Sequence, residues 1–237
     1  MSPEPPHQHS ATDRIRAAYE KRIRDDAFSR YSLFRPGELY MLQRREQEIL
    51  AMLRRSGRTD LRQARVLEVG CGRGSRLADW PRWGADPTRL AGVDLMETFI
   101  AEARKLLPQA DLKTGSGDAL PWPDDHFDIV VQQTVFTSVP DPALRRAIAN
   151  EMRRVTRPGG CLLWYDFRYP NPRNPDVQPM PAGEIRALFP DCRITLRSVT
   201  LLPPLARALA PISHCLCRIL ERIPPLRSHL LALIEVA

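Results

Sequence analysis

Val66-Leu-Glu-Val-Gly-Cys-Gly-Arg-Gly74 is the stretch of sequence that decides the fold. An apolar run that contains one acidic residue, Glu68, is followed by glycines at positions 70, 72 and 74. This pattern predicts a buried first strand that ends in a tight turn and opens a helix. Glycine is needed in such a turn because the backbone often takes a positive φ and because a ligand must approach the main chain without meeting a Cβ. The stretch therefore predicts a nucleotide-type loop at one edge of a sheet.

Short apolar strands alternate with helices along the rest of the chain. The predicted strands after the first are Leu90–Val93, Asp111–Thr114, Phe127–Val131, Leu162–Tyr165, Arg193–Thr200 and Leu230–Val236. The predicted helices are Ala11–Ser29, Glu38–Arg55, Ser75–Asp79, Met96–Leu107, Asp141–Thr156, Glu184–Phe189 and Leu205–Ile223, the last with a kink at Pro211. The alternation predicts an α/β fold with a doubly wound, mostly parallel seven-stranded sheet. In such sheets ligands bind beyond the carboxyl ends of the strands.

Composition limits the class of protein. The chain has 237 residues, of which 43% are hydrophobic and 27% charged, so it is long enough for one sizeable core. No apolar run approaches the roughly 20 residues of a membrane-spanning helix, and the first residues lack the apolar core of a signal peptide. A cytoplasmic location is therefore expected.

The charge and the cysteines allow more than one interpretation. The net charge is +7, almost all of it from arginine. A basic chain can bind nucleic acid, phosphorylated substrates or an anionic membrane, but a GC-rich coding bias and ordinary solvated faces explain the charge equally simply. Five scattered cysteines argue against a disulfide framework. Cys215 and Cys217 are expected to be apolar fillers rather than metal ligands.

Two kinds of ligand compete for the glycine loop. A dinucleotide fingerprint has Gly-x-Gly-x-x-Gly and an acidic residue about 20 positions later. Asp94 lies twenty residues after Gly74 and fits that acidic residue, but Ser75 stands where the third glycine should be. Glu68 would also be unfavourable beside a pyrophosphate, whereas it suits a cationic group. The sequence therefore favours a ligand that carries a positive charge near the first strand.

Four motifs in order resemble those of the class I S-adenosylmethionine-dependent methyltransferases, in particular the small-molecule branch with the ubiquinone/menaquinone-type enzymes. They are Val66–Gly74, Gly92-Val-Asp94-Leu, Gly117-Asp118-Ala-Leu-Pro-Trp-Pro followed by Phe127-Asp-Ile-Val, and Met152-Arg-Arg-Val-Thr-Arg-Pro-Gly-Gly160. The resemblance covers about residues 63–200. It implies a Rossmann-like methyltransferase fold and S-adenosyl-L-methionine as cofactor, with S-adenosyl-L-homocysteine as product and no metal.

The resemblance also implies roles for single residues. Glu68 would lie near the methionine amino group, and Asp94 would accept from both ribose hydroxyls. Asp118 would accept from the adenine amino group, while the Ala119 N–H donates to a ring nitrogen. The other expected cofactor contacts are Gly70, Cys71, Gly72 and Gly74 in the loop, Leu95, Met96 and Gly117 around the adenine, and Gln132 or Gln133 at the methionine carboxylate. Taken singly, Asp94 and Asp118 would read as turn residues or helix caps; their joint spacing favours the ligand role.

The acceptor half of the site is less defined. Methyl transfer is an in-line displacement that needs no nucleophilic residue, although a base helps when the acceptor is a hydroxyl. The histidine that the branch often carries after strand four is replaced by Gln133-Thr-Val-Phe-Thr-Ser-Val-Pro140. Asp166 is the candidate base, with pairing to Arg168 or Arg173 as its alternative role. Tyr31, Phe136, Arg168 and His214 are candidate acceptor contacts.

These observations predict a single domain over residues 11–237 after a disordered tail, 1–10. Residues 11–60 form a helical lid, 61–200 the cofactor-binding core, and 201–237 a C-terminal helix and closing strand, so that a helical insertion precedes the last strand. The Leu205–Ile223 segment either packs as core and pocket or rests on a membrane or a lipid-linked substrate. Oligomeric state stays open between monomer and homodimer.

The expected function is O-methylation of a small molecule, such as a natural product, sugar or quinone. Strand four ends in Gln132-Gln133-Thr134 and lacks the Asn-Pro-Pro-Tyr signature of nucleic-acid base methylation, so nucleic acid is not the expected acceptor. The net charge keeps a nucleic-acid or protein methyltransferase as an alternative. A non-catalytic subunit that binds the cofactor is the other.

Overall fold

The computed structural model describes residues 11–24, 31–170 and 178–237. Within these ranges seven strands form one sheet. In chain order they are β1 Val66–Val69, β2 Leu90–Asp94, β3 Asp111–Thr114, β4 Phe127–Gln133, β5 Thr156–Phe167, β6 Arg193–Leu201 and β7 Arg227–Glu235. Tail residues 1–10, the end of the first predicted helix after residue 24, and Arg173 lie outside the described residues.

The sheet has the strand order β3-β2-β1-β4-β5-β7-β6. The first five of these strands pair in parallel, whereas β7 pairs antiparallel with both β5 and β6. The order reverses between β1 and β4, which is where a doubly wound sheet opens a ligand crevice. The predicted fold class is confirmed.

The helices cover both faces of this sheet. Their bounds are α1 Ala11–Arg24, α2 Pro36–Arg55, α3 Asp79–Arg82, α4 Glu97–Leu106, α5 Pro142–Val155, α6 Ala182–Leu188, α7 Pro203–Leu209 and α8 His214–Leu220. Apolar residues of α2, α3 and α4 pack on one face, and those of α1, α5 and α6 on the other. All four residues of β1 are buried, because helices lie above and below it.

Two predicted helices differ from the structure. The helix expected at Ser75–Asp79 lies instead at Asp79–Arg82, after hydrogen-bonded turns. Pro81 is tolerated there because the N–H groups of a first helical turn have no partner inside the helix. The single kinked helix expected over Leu205–Ile223 is two helices, α7 and α8. Pro211 lies between them, and Ser213 caps α8 by accepting from the Leu216 N–H at 3.2 Å.

The two C-terminal helices form the insertion before the last strand, as predicted. Tyr40 of α2 and Leu201 of β6 share a small core with Ala206, Ala210 and Cys217 of these helices. The insertion is therefore anchored to α2, at the β6 end of the sheet. None of the helices in the described ranges is long and apolar enough to span a bilayer.

Candidate active site

The glycine loop lies at the carboxyl end of β1 and is tied to β2. The N–H groups of Gly70 and Cys71 donate to the carbonyl of Val93 at 2.8 and 3.0 Å. The Gly72 N–H donates to Asp94 Oδ2 at 2.8 Å. Gly70, Gly72 and Gly74 have φ of 70°, 54° and 77°, the left-handed region that glycine enters without strain.

The three glycines differ in what surrounds them. A Cβ on Gly70 would lie 2.4 Å from Cγ2 of Val135, and one on Gly74 would lie 3.0 Å from Cβ of Ala103 in α4. Protein atoms therefore occupy those two positions. A Cβ on Gly72 would meet nothing within 4 Å. Only Gly72 of the three presents its backbone to open space, where a ligand can approach it.

Asp94 joins the loop to the start of α4. Its Oδ1 accepts from the Met96 N–H at 3.0 Å, while Oδ2 accepts from Gly72. Burial raises the pKa of Asp94, and these backbone N–H groups oppose that rise. Because each carboxylate oxygen can accept more than one hydrogen bond, the side chain retains capacity for the two hydroxyls of a vicinal diol.

Glu68 is buried in β1 with one oxygen unpaired. Gln133 Nε2 donates to Oε1 at 3.1 Å, but Oε2 has no hydrogen-bond partner among the described residues. Burial raises the pKa of Glu68 to about 7, and the nearby Arg76 and Arg45 oppose this rise. An unpaired buried carboxylate oxygen is costly, so it is a fitting acceptor for a cationic ligand group.

Gln132 and Gln133 end β4 beside Glu68. Gln132 Oε1 accepts from the Val135 N–H at 3.1 Å, while its buried Nε2 lacks a hydrogen-bond partner within the described part of the chain. Thr134, the next residue, has a φ of 62°. Strained backbone of this kind clusters at ligand sites. The Gln132 amide nitrogen is thus a second buried polar atom, after Glu68 Oε2, that lacks a partner among the described residues, and it is a donor.

The adenine side was predicted around β2 and the turn after β3. Leu95 is partly buried against one core cluster, and Met96 is buried. Gly117 packs on β1, because a Cβ there would lie 3.1 Å from Val69 Cγ1. Half-buried Asp118 has no hydrogen bond to any described residue. The Ala119 N–H, expected to reach an adenine nitrogen, donates to the Ser116 carbonyl at 3.2 Å instead.

Asp166 is fully buried near the end of β5. Its Oδ2 accepts from the Thr137 N–H at 3.4 Å, and its Oδ1 from the N–H of Phe167 at 3.1 Å. Burial raises the pKa of Asp166 to about 7, although hydrogen bonds from Thr137 lower it. The alternative pairing with Arg168 is not found: that guanidinium donates to the Pro224 carbonyl at 3.5 Å.

The four acceptor candidates are not brought together. The Phe136 side chain has no exposed surface, and its ring centroid lies 4.1 Å from that of Trp164 in the core. Exposed His214 lies on α8, where the centroid of its ring is 5.5 Å from the centroid of the Tyr40 ring. Tyr31 is 56% exposed, and Arg168 lies over the Tyr169 ring.

Sequence reasoning missed a group of polar residues on the α2 side of this edge. Arg45 of α2 and Arg76 of the loop after β1 face Tyr165 and His229, whose rings stack at 4.5 Å. One signal was present. Arg45 precedes Ile49 and Met52 at helical spacing, which places an arginine on the buried stripe of α2.

The residues at this edge fit S-adenosylmethionine. Unpaired Glu68 Oε2 suits its amino group, the open backbone at Gly72 allows close approach, and Asp94 suits its ribose. Across the described ranges, no three His, Cys, Asp or Glu side chains lie together as a metal-binding group.

Comparisons with known proteins agree with this geometry. Residues 67–164 match the family described as a methyltransferase domain. The phthiotriol/phenolphthiotriol dimycocerosates methyltransferase 1 of Mycobacterium ulcerans is 38% identical over 114 residues, which cover 47% of this chain and 41% of that protein. The Aspergillus luteorubrus protein named "Probable methyltransferase ltbC" is 28% identical over 162 residues, covering 63% of this chain and 55% of that protein. The chain spans about half the length of the curated relatives it matches.

A solved structure shares the fold. The YcgJ protein of Bacillus subtilis superposes with a TM-score of 0.57 at 18% identity, covering 81% of this chain and 99% of that one. Residues 67–164 therefore match a methyltransferase domain, and the chain has the Rossmann-like fold that the sequence resemblance implied. The resemblance to S-adenosylmethionine-dependent methyltransferases is thus confirmed for the domain match and for the fold.

Proposed function

We propose that the protein transfers a methyl group from S-adenosyl-L-methionine to an oxygen of a small molecule. The observation that carries the proposal is a set of three features at the same edge of the sheet. Glu68 Oε2 is buried and has no partner among the described residues, the backbone of Gly72 is open, and the Asp94 carboxylate lies beside Gly72. A ligand with one cationic group and one vicinal diol satisfies all three. The family match over residues 67–164 supports the same cofactor.

In this proposal each residue binds a particular part of the cofactor. Glu68 holds the amino group, Asp94 the ribose hydroxyls and Asp118 the adenine amino group. Cys71, Leu95, Met96 and Gly117 shape the walls, and the orphan Gln132 amide is a donor for the methionine carboxylate. The bound cofactor supplies an electrophilic methyl on sulfur. The chain aligns donor and acceptor and excludes water, which lowers the entropic part of the barrier.

Asp166 is the proposed base for a hydroxyl acceptor. A pKa near 7 suits proton transfer at neutral pH. Because its carboxylate is buried, the proton would reach it through the hydroxyl of its neighbour Thr137. Asp166→Asn is expected to lower kcat by about 100-fold while leaving S-adenosylhomocysteine affinity unchanged. A kcat within threefold of wild type would assign Asp166 to holding the Thr137 backbone.

A small hydroxylated acceptor is supported by the relatives. The M. ulcerans relative is named for phthiotriol and phenolphthiotriol substrates, and a triol carries hydroxyl groups. The direct test measures S-adenosylhomocysteine release with a panel of quinols, polyketides, phenols and sugars, against tRNA and unfolded protein. Release with a hydroxylated small molecule is expected. Release with tRNA or protein alone would contradict the small-molecule assignment.

The C-terminal insertion is proposed to touch an anionic bilayer. Ile212, Leu216, Ile219 and Ile223 lie on or next to α8 and are exposed, with 77%, 39%, 57% and 47% of their surface accessible. Exposed Arg218 and Arg222 flank these residues and complement anionic headgroups. The wild-type protein is expected to sediment with phosphatidylglycerol vesicles, and the Ile219→Asp variant is expected to stay in the supernatant. Equal sedimentation of both proteins would contradict this contact.

A further inference from the structure

Arg45 of α2 is a buried cation. Only 8% of the residue is exposed, and its guanidinium makes no hydrogen bond or ion pair with any described residue. The adjacent Arg44 differs: it pairs with Glu221 at 2.8 Å and with Glu48 at 2.7 Å. Removing a guanidinium from most of its water without a counter-charge is unfavourable. A fold keeps such a group most readily where a ligand supplies the missing anion.

A second arginine lies beside it. Arg76 donates to Gln133 Oε1 at 3.4 Å, and Gln133 in turn donates to Glu68. The pKa of Arg45 is lowered to about 10, first by burial and then by the charge of Arg76. We name Arg45, Arg76, Tyr165 and His229 the arginine pocket.

The other groups that face the arginine pocket do not neutralise it. Burial, with the two arginines adding to it, lowers the pKa of His229 to about 3, so its ring is neutral. Tyr165 shares a hydrogen bond with Thr200 at 2.9 Å and stays protonated because burial raises its pKa. Asp79 already accepts from Arg82 at 2.8 Å. Glu46, the next residue of α2, also lies near Arg45 but pairs with Arg82 at 3.4 Å. Glu68 is a further carboxylate near the two arginines.

Cofactor binding would increase the positive charge at this edge. S-adenosylmethionine carries a sulfonium, an amino group and one carboxylate, so its net charge is +1. The amino group of the cofactor pairs with Glu68 in the proposed complex. The single carboxylate can serve Arg76, which lies beside Gln133 at the methionine end. Arg45 then still lacks an anion, and it faces Tyr165 of β5, the strand that also carries the proposed base.

We propose that the methyl acceptor carries a carboxylate or phosphate group, and that Arg45 binds it in the arginine pocket. This inference rests on the proposed function and specifies its substrate class. Arginine suits such a group because its planar guanidinium donates two parallel hydrogen bonds to carboxylate or phosphate oxygens. The acceptor would thus be held through its acid group while its hydroxyl approaches the methyl.

The test uses protein already saturated with S-adenosylhomocysteine, so that the cofactor carboxylate is in place before any other anion is added. Benzoate and inorganic phosphate are then titrated by calorimetry into wild type, Arg45→Gln and Arg54→Gln. Arg54 is an exposed arginine of the same helix and serves as the matched control. We expect at least one anion to bind wild type and Arg54→Gln alike, and Arg45→Gln to bind it at least tenfold more weakly.

Each other result has a defined meaning. Saturated wild-type protein that binds neither anion would overturn the proposal. So would a tenfold loss of S-adenosylhomocysteine affinity in Arg45→Gln, because the missing anion would then be the cofactor carboxylate. A lower melting temperature in Arg45→Gln with unchanged anion affinity would show a structural role and overturn it too. Failure of wild type to bind S-adenosylhomocysteine would appear before any anion is added and would contradict the proposed function itself.

Discussion

At the scale of single residues, Gly72 and Gly57 form a matched pair. Both have positive φ, 54° and 79°, and a Cβ on either would meet no atom within 4 Å. Substitution of either glycine by alanine should therefore introduce a similar conformational strain of about 1–2 kcal/mol. Gly72→Ala is expected to weaken S-adenosylhomocysteine binding by tenfold or more, because the new methyl group enters the space of the ligand. Gly57→Ala should bind like wild type in the same calorimetric titration; equal affinities for the two variants would place the ligand elsewhere.

Glu68 gives a pH dependence of stability with a defined sign. Its pKa is about 7 in the folded chain, above the ordinary 4.5, so the folded state binds more protons between these values. Unfolding free energy therefore falls as pH rises through this window, and the ionised Glu68 costs up to about 3 kcal/mol at pH 8. Glu68→Gln is expected to raise the melting temperature of the ligand-free protein at pH 8 and to change it little near pH 4.

A surface carboxylate provides the control for that measurement. Glu102→Gln removes a half-exposed charge paired with Arg73 at 3.2 Å, and its effect should be small at both pH values. A Glu68→Gln stabilisation that does not grow between pH 4 and pH 8 would refute the raised pKa. With S-adenosylhomocysteine present the order should reverse, because the variant lacks the partner of the amino group.

At the scale of elements, α1 covers the carboxyl edge of the sheet. Ile15 is buried in the same apolar cluster against which Leu95 and Val135 pack. Tyr19 lies edge-on to the Phe99 ring at 6.4 Å, and its hydroxyl donates to Ser138 Oγ at 3.5 Å. These contacts place α1 over residues that flank Asp94 and Gly70, which supports the proposal that it acts as a lid.

Loosening α1 should therefore affect ligand release more than global stability. Ile15→Ala is expected to raise the dissociation rate constant of S-adenosylhomocysteine several-fold, because a peripheral helix can open locally without unfolding the sheet. Stopped-flow displacement measures this rate. Ile212→Ala changes an exposed isoleucine and should leave the rate unchanged. A large loss of melting temperature with an unchanged rate would assign α1 to the core instead.

The elements also show what sequence patterns can predict. Most of the seven strands could be predicted because they are short apolar runs that lead into Asp, Gly or Gln. The weakest signal is that of Asp111–Thr114, which contains one apolar residue. The helix after Gly74 was misplaced because proline was taken as a stop, whereas Pro81 lies in a first turn and loses no hydrogen bond there. The segment at 205–223 was read as one helix because its apolar spacing continues through Pro211; the break depends on the Ser213 cap.

At the scale of the whole molecule, the cofactor half and the acceptor half differ in how far sequence could define them. Cofactor candidates cluster in short motifs at the ends of adjacent strands, so local sequence places them together. The proposed acceptor half combines α2, β5 and β7, which are distant in the chain, and their contacts depend on tertiary packing. Arg45 and His229 were missed for that reason, and sequence alone could not show that the Phe136 ring is buried against Trp164.

The measurement that tests the account most directly is calorimetric titration of S-adenosyl-L-homocysteine into wild type, Asp94→Ala and Asp86→Ala. Both aspartates accept backbone hydrogen bonds in a turn, Asp94 from Met96 at 3.0 Å and Asp86 from Thr88 at 2.9 Å, so both variants lose a similar local contact. Only Asp94 lies at the glycine loop. The account predicts one site per chain in wild type and Asp86→Ala, and at least tenfold weaker binding in Asp94→Ala. Absence of binding to wild type, or equal affinity in all three proteins, would contradict it.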